Sequence, residues 1–401
     1  MTSAERREAR YQRRKAARLE KKEKTVGDAL DFDRVFTFAH LYRSALRCFR
    51  GVNWKASVQS FRCRCGIRVA KRLRELRSGV FKLRKSTGFK TRERGHERQI
   101  NSIYIDDRVP QKCACMYALK PVLHRTLIYD NYASQEGKGT SKARKRLKCM
   151  LERHIRRHGM VGGVIIFDFK GFFDSIPHGL VRYVLEKNFT DKRIIGLNMK
   201  IVRQAREKVG LILGSENSQD FAISTPNLLD HLIKDVMQAE AYGRYMDDGI
   251  IIDPDMDKLK RIFQALKTMA ARLGFKLNER KSRILRFGKP FTILQRKYTF
   301  PSSGKIIIRP ARMSVVRERR KLKRLYSRFC KGTMKIEAGM DSLTAWKSSI
   351  ADCRCWKIVR SIGQLFDSLY INRWLSGEEE RTPCTTRSFP AARLSMPSMA
   401  A

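Results

Sequence analysis

Gly243-Arg244-Tyr245-Met246-Asp247-Asp248-Gly249-Ile250-Ile251-Ile252-Asp253 reads as strand, tight turn, strand, with two adjacent carboxylates at the turn. Asp-Asp-Gly is good turn chemistry, so an exposed hairpin tip is one account of it. Ile-rich flanks make that account uncomfortable, because two neighbouring negative charges repel strongly where water screens them poorly, unless a cation offsets them. A second strand of the same kind lies upstream. Val164-Ile165-Ile166-Phe167 is a buried apolar run that ends in Asp168, followed by Phe169-Lys170-Gly171-Phe172-Phe173-Asp174-Ser175-Ile176-Pro177.

Outward from these elements, helical spacing covers residues 178 to 188, 225 to 239 and 256 to 273, the last ended by Gly274, and 275 to 308 alternates in strand fashion. Strand, helix, strand-turn-strand, helix, strand is the order of a split βαβ sheet, so the fold class is α+β. Residues 30 to 80 place apolar side chains such as Leu41, Ala45, Val58, Phe61, Val69 and Leu73 at helical intervals, which predicts three short helices. Two strand-like runs in 87 to 105 join at Arg94-Gly95-His96, a basic hairpin suited to cover a triphosphate. Helical spacing returns at 107 to 120 and 141 to 158, around a polar loop holding Gly137-Lys138-Gly139. That loop lacks the spacing of a P-loop and suits backbone contact with a nucleic-acid strand. Residues 311 to 375 are helical and basic. Residues 1 to 24 read equally as a nucleic-acid-binding arm or a solvated leader, and 377 to 401 carries no periodicity.

Lys plus Arg number 86 against 39 Asp plus Glu in 401 residues, a formal net charge of +47. Self-repulsion on that scale calls for a polyanion, and its spread along the chain suits a groove that tracks phosphates. No stretch approaches about 18 apolar residues, and the N-terminus lacks the apolar core of a secretory signal. These features predict a cytoplasmic protein without a membrane partner. The close cysteine pairs, Cys63/Cys65, Cys113/Cys115 and Cys353/Cys355, are spaced Cys-x-Cys, tighter than structural zinc uses, and are read as free thiols. His154 and His158 stand four apart among basic neighbours and are read as a solvated helix face rather than a chelating pair.

Phosphoryl transfer to a hydroxyl needs charge neutralisation on the triphosphate and a lowered pKa on the attacking oxygen. Two Mg²⁺ ions about 3.5 to 4 Å apart provide both. Mg²⁺ takes carboxylate oxygens while keeping waters and substrate phosphates as ligands, so two or three aspartates on neighbouring strands suffice. Asp168, Asp247 and Asp248 are therefore the candidate catalytic and metal-binding residues.

Tyr245-x-Asp247-Asp248 together with Asp168-x-x-x-Phe172-Phe173-Asp174-x-Ile176 resembles the palm of reverse transcriptases. The likeness is to the prokaryotic and phage branch that holds group II intron, retron and diversity-generating retroelement enzymes, and it spans roughly residues 80 to 310. It implies a right-hand polymerase: a basic arm at 1–29, a helical region at 30–80, fingers at 81–160, a palm at 161–308, a helical thumb at 309–375 and a disordered tail at 376–401. The implied activity is RNA-directed DNA synthesis from an RNA template, a DNA or RNA primer and dNTPs, with two Mg²⁺ ions per site and Mn²⁺ as an alternative.

Residue by residue, the resemblance adds the backbone carbonyl of Phe169 as a metal ligand and Phe173, or failing it Phe172, as the aromatic gate against a ribose 2′-hydroxyl. Leu213-Gly214-Ser215-Glu216-Asn217-Ser218-Gln219 resembles the Gly-x-x-x-Ser-Gln form of diversity-generating enzymes and implies Gly214 and Gln219 in the nucleotide pocket. Gly274-x-x-x-Asn278-x-x-Lys281 implies Lys281 as contact or proton donor to the pyrophosphate. Residues 291 to 300 fall where the primer grip lies, Arg98 and Arg108 match the basic groups that hold the triphosphate, and Tyr245 and Met246 face nucleic acid. In the thumb, Arg317, Arg319, Arg320, Lys321, Lys323 and Arg324 are expected on the template-primer backbone.

Two alternatives share this sheet: an RNA-dependent RNA polymerase, against which Met246 and Phe173 argue, and a catalytically altered RNA-binding protein, against which the three aspartates argue. An intron maturase needs modules for which 376–401 leaves no room. A small basic accessory protein or a dedicated noncoding RNA is the implied further partner.

Overall fold

The computed structural model describes residues 25–371 except 85, 94–95, 205–207 and 302–303, plus positions 5, 8–9, 12–13, 20 and 23. Most of the arm read at 1–29, and the tail read at 376–401, lie outside the described residues. Two compact units divide at Lys289 and Pro290.

In the first unit, β1 (Thr87–Glu93) and β2 (His96–Ser102) form the expected basic hairpin, whose Arg94-Gly95 turn lies outside the described residues. The main sheet holds β3 (Gly163–Phe167), β4 (Ala241–Tyr245), β5 (Asp248–Asp253) and β6 (Arg283–Arg286) in the order β4-β5-β3-β6, all neighbours antiparallel. That is the split βαβ order read from the sequence. Val164, Ile165, Ile166, Ile250, Ile251 and Ile252 are buried on both faces of the central pair, which explains continuous apolar runs in place of alternation. Phe167 pairs with Gly249, so the register continues into Asp168 beside Asp248.

Helix Met256–Arg272 covers this sheet with Leu259, Ile262, Leu266 and Ala270, the i, i+3, i+4 stripe of an amphipathic helix. Burying each of the three larger side chains contributes roughly 1.5–3 kcal/mol. Asp255 caps its start by accepting from the amides of Asp257 and Lys258, and Gly274, at φ +82°, ends it. Helix Thr140–His158 packs on β4 and β5.

Several elements differ from the sequence reading. The helix expected at 107–120 starts at Ile105, passes through a π-helical turn at Cys115–Leu119 and runs on to Thr126. The π turn precedes Pro121, whose missing N–H cannot close an ordinary helical ladder. The helix expected at 225–239 is Asn227–His231 followed by a second π turn, Leu232–Val236. Gln219 lies within a helix, Glu216–Ser224, and a further helix occupies Lys192–Arg203. His154 does not face solvent: it is buried, its Nδ1 lies 3.0 Å from Glu240 Oε2, its Nε2 lies 2.8 Å from the Val161 carbonyl, and it stacks on Phe287. Glu240 also meets His158 Nε2 at 3.2 Å, an acidic partner that the local sequence does not contain.

The second unit has its own sheet, β7 (Phe291–Ile293), β8 (Arg296–Thr299) and β9 (Ile307–Pro310), and helices Arg312–Cys330, Glu337–Ser349 and Trp356–Phe366. The region read as 161–308 therefore runs across the division between units. Buried Arg296 ties β8 to the helices by donating to both Asp352 carboxylate oxygens. Leu322, Leu343, Trp346, Ile362, Phe366 and Tyr370 form the helical core. All described cysteines are free.

Gly249 is a steric requirement: a Cβ there would lie 2.1 Å from Cζ of the buried Phe167 ring. Gly249→Ala is expected to cost about 1–3 kcal/mol by overpacking, read as a lower midpoint in denaturant unfolding. An unchanged midpoint would mean that Phe167 has room to move.

Candidate active site

The strand register carries the three aspartates to one end of the sheet. Asp168 follows the last residue of β3, Asp247 lies in the β4–β5 turn with Met246, and Asp248 opens β5 opposite Tyr245. Asp168 is only 5% exposed and is held from several sides. Its amide donates to Ser282 Oγ (3.2 Å) and its carbonyl accepts from the Asn278 amide (2.7 Å). Its Oδ2 accepts from Asn278 Nδ2 (3.1 Å) and Lys281 Nζ (3.0 Å). These bonds fix the carboxylate before any ligand arrives.

The electrostatics are those of crowded like charges. Burial and the charges of Asp247 and Asp168 push the Asp248 carboxyl up to about 7. Burial, then the Asp168 charge, raises Asp247 as well. Lys281 goes the other way: burial opposes its charge, but the bond to Asp168 and the fields of all three aspartates hold its ammonium above the ordinary lysine value. Among the described residues no three His, Cys, Asp or Glu side chains converge closely enough to hold an ion as they stand. The aspartates are instead an open oxygen-donor set in which one lysine offsets part of the charge. Hard oxygens with uncompensated negative charge and open positions fit a divalent cation that keeps water and phosphate ligands.

The turn itself rests on a residue that the sequence reading quoted but gave no role. Arg244 is fully buried, and its Nε and Nη2 donate to Asp230 Oδ1 and Oδ2, each at 2.7 Å. Nη2 also donates to the Ile223 carbonyl and Nη1 to the Met246 carbonyl, both at 2.8 Å. Tyr242 Oη donates to the same Asp230 at 2.6 Å. Met246 adopts φ +54°, a left-handed conformation that costs a non-glycine residue energy. Arg244 thus holds the strained peptide immediately before Asp247 and links it to the C-terminal part of the Glu216–Ser224 helix.

Phe172 and Phe173 separate cleanly. Phe172 is buried and stacks on Phe169 (5.4 Å, 20°), whereas Phe173 is half-buried and meets Phe172 edge-on. Phe169 is buried and bridges to Leu277. Arg108, Gly214 and Gln219 come together around a cavity of about 290 Å³, with Gln111, Lys112, Lys120 and Glu216. Gly214 (φ +119°) is required there, since a Cβ would lie 2.5 Å from the Asn101 carbonyl at the end of β2. Gln111 Nε2 and Asp220 Oδ2 in this wall are buried without a protein partner. Arg98 is exposed on β2 and does not line that cavity. Lys138, expected at a nucleic-acid strand, donates to the carbonyls of Tyr129 and Asn131 and so closes its own loop. In the second unit, Arg320, Lys321 and Arg324 are exposed on helix Arg312–Cys330, Arg317 is half-buried, and Arg319 donates to Ser361.

Sheet order and clustered carboxylates at the ends of adjoining strands define a polymerase palm. The family model for reverse transcriptase (RNA-dependent DNA polymerase) matches residues 84–315, more than half of the chain, and the chain belongs to that family. A comparison with curated proteins finds no match. Membership makes the protein an RNA-directed DNA polymerase, a nucleotidyltransferase acting on RNA template, primer and nucleotides, in a family whose enzymes generally use divalent metal ions. No described helix is long and apolar enough to cross a membrane.

Two outcomes follow from this geometry. An aspartate raised from 3.8 to about 7 on folding binds more protons folded than unfolded between those values, so stability falls as pH rises through that window. In EDTA, wild type is expected to lose melting temperature relative to Asp248→Asn from about pH 4 to 7.5, and coincident profiles would mean a well-solvated Asp248. Arg244→Met, which leaves Asp230 buried and unpaired, is expected to cost about 3–5 kcal/mol in equilibrium unfolding. A loss under about 1 kcal/mol would mean that Asp230 finds another partner.

Proposed function

We propose that the protein synthesises cDNA from an RNA template by two-metal nucleotidyl transfer at Asp168, Asp247 and Asp248, as an enzyme of the prokaryotic or phage branch of its family. The observation that carries the reading is the open cluster of three aspartates, two with raised pKa values, at the ends of β3 and the β4–β5 hairpin. The three carboxylates and the Phe169 carbonyl would hold two Mg²⁺ ions, with Mn²⁺ as an alternative. When bound, such ions neutralise the triphosphate and acidify the attacking 3′-hydroxyl.

The protein's own groups do the rest. Lys281, held 3.0 Å from Asp168 in the free protein, exchanges that partner for the departing pyrophosphate, to which its ammonium gives charge or a proton. Phe173, the half-buried ring of the pair, stands against a ribose 2′-hydroxyl, while Phe172 belongs to the core that backs it. Arg98 and Arg108 hold the triphosphate, and Gly214 and Gln219 shape the nucleotide pocket. Tyr245 and Met246 face the bound nucleic acid. Arg317, Arg320, Lys321 and Arg324 grip the template-primer backbone from a thumb at 309–375, with fingers at 81–160 and palm at 161–308. The Gly214 to Gln219 pattern supports a retroelement such as a diversity-generating one, with a small basic accessory protein or a dedicated noncoding RNA as further partner.

On a primed RNA template, Asp247→Asn is expected to lower Mg²⁺-dependent dNTP incorporation by at least about 100-fold while the protein still folds cooperatively. Incorporation that survives would remove Asp247 from the metal site. Phe173→Ala is expected to admit ribonucleotides, and unchanged sugar selection in primer extension would place the gate elsewhere.

A further inference from the structure

Helix Phe38–Phe49 is apolar on two sides. Leu41, Ala45, Cys48 and Phe49 pack into the core against helices Cys65–Arg77 and Ile105–Ala114. Phe38, Tyr42 and Leu46, spaced four residues apart and so stacked along one face, are 44%, 38% and 48% exposed. The Phe38 and Tyr42 rings lie parallel within 18°, with centroids 5.9 Å apart. Past the helix end stands Trp54, 75% exposed.

The charges around this stripe are one-sided. Residues 30 to 80 contain 12 Lys and Arg and 3 Asp and Glu. All three acids are already engaged: Asp31 with Arg34, Asp33 with Arg77 and Arg193, Glu75 with Arg72. Arg43, Arg47 and Arg50 sit beside the stripe at helical spacing, and no carboxylate among the described residues pairs with them. Lys55 is left over the Trp54 ring.

Exposed rings flanked by unpaired arginines have the composition of a stacking platform for unpaired bases, with the cations on the phosphates. A protein partner would be expected to offer acids to the arginines and apolar side chains to the rings. A nucleic-acid strand supplies both chemistries at every nucleotide, and the +47 chain already belongs to a family that handles RNA. We propose that the Phe38, Tyr42, Leu46 and Trp54 face binds single-stranded RNA at a site separate from the catalytic carboxylates.

The test uses the full chain with a short primer-template duplex in saturating amount, so that the polymerase groove is filled. A fluorescent 20-nucleotide oligo(U) RNA is then titrated in, and its affinity is compared among wild type, Tyr42→Ala with Trp54→Ala, and Arg43→Ser with Arg47→Ser. All four substituted side chains are exposed, and extension of the short primer is the check on folding and on the catalytic site. The expected result is an oligo(U) affinity at least about tenfold weaker in both double variants, with primer extension unchanged. Equal oligo(U) affinity in all three proteins overturns the proposal. So does extension that falls together with oligo(U) binding, which would place the face in the polymerase groove. Loss of binding to anionic phosphatidylserine vesicles, or of concentration-dependent self-association, with oligo(U) affinity intact, overturns it in favour of a membrane or a second copy of this chain.

Discussion

The bidentate pair between Arg244 and Asp230 is the interaction on which the rest of the centre depends. Removing two opposite charges from water is expensive, and such a pair persists only where hydrogen bonds satisfy the remaining donors. Here they do: the Arg244 guanidinium reaches the Ile223 and Met246 carbonyls as well as Asp230, and Tyr242 completes the carboxylate. One side chain therefore joins the β4–β5 turn, the Glu216–Ser224 helix and the Asn227–His231 helix. Backbone bonds from the Arg244 amide to Asp130 and from the Tyr132 amide to the Arg244 carbonyl add the segment before helix Thr140–His158. A strained Met246 is tolerable because so many partners determine its place.

The same centre shows why stability and function pull apart. Asp168, Asp247 and Asp248 are crowded in a half-buried site, and the raised pKa values of the last two measure how poorly the protein alone supports their charge. Lys281 relieves part of this from the edge, on a side chain still 62% exposed and hence able to leave. A fully compensated cluster would be more stable and would offer a cation nothing. Fixing Asp168 with Asn278 and Ser282 while leaving charge unbalanced keeps the geometry ready for a ligand.

The strands and the aspartates were legible because each carries a local signal: runs of Val and Ile with a carboxylate at the end, and a turn with two acids. Split βαβ order then followed from the sequence of elements. What was illegible depends on partners far along the chain. Arg244 reads as one more surface cation until Asp230, fourteen residues earlier and in another element, is brought against it. His154 reads as solvated until Glu240 arrives from 86 residues away. Phe172 and Phe173 are indistinguishable as neighbours in sequence, and only the short Phe172–Ser175 helix turns one ring inward and leaves the other half-open. The π turns escape periodicity by definition, since each inserts a residue into the 3.6 count.

Seven acids, Asp107, Asp130, Asp168, Asp220, Asp230, Asp253 and Glu318, are buried among the described residues, against two buried arginines, Arg244 and Arg296. Acidic groups are thus consumed inside, as partners for backbone amides, histidines and arginines, while basic groups stay outside. The surface is therefore more positive than the composition alone conveys. Such a surface repels itself in the free protein, and a bound polyanion both relieves that repulsion and releases counterions. Stability and substrate binding are then coupled through the same charges: whatever nucleic acid occupies this surface also stabilises the fold that presents it.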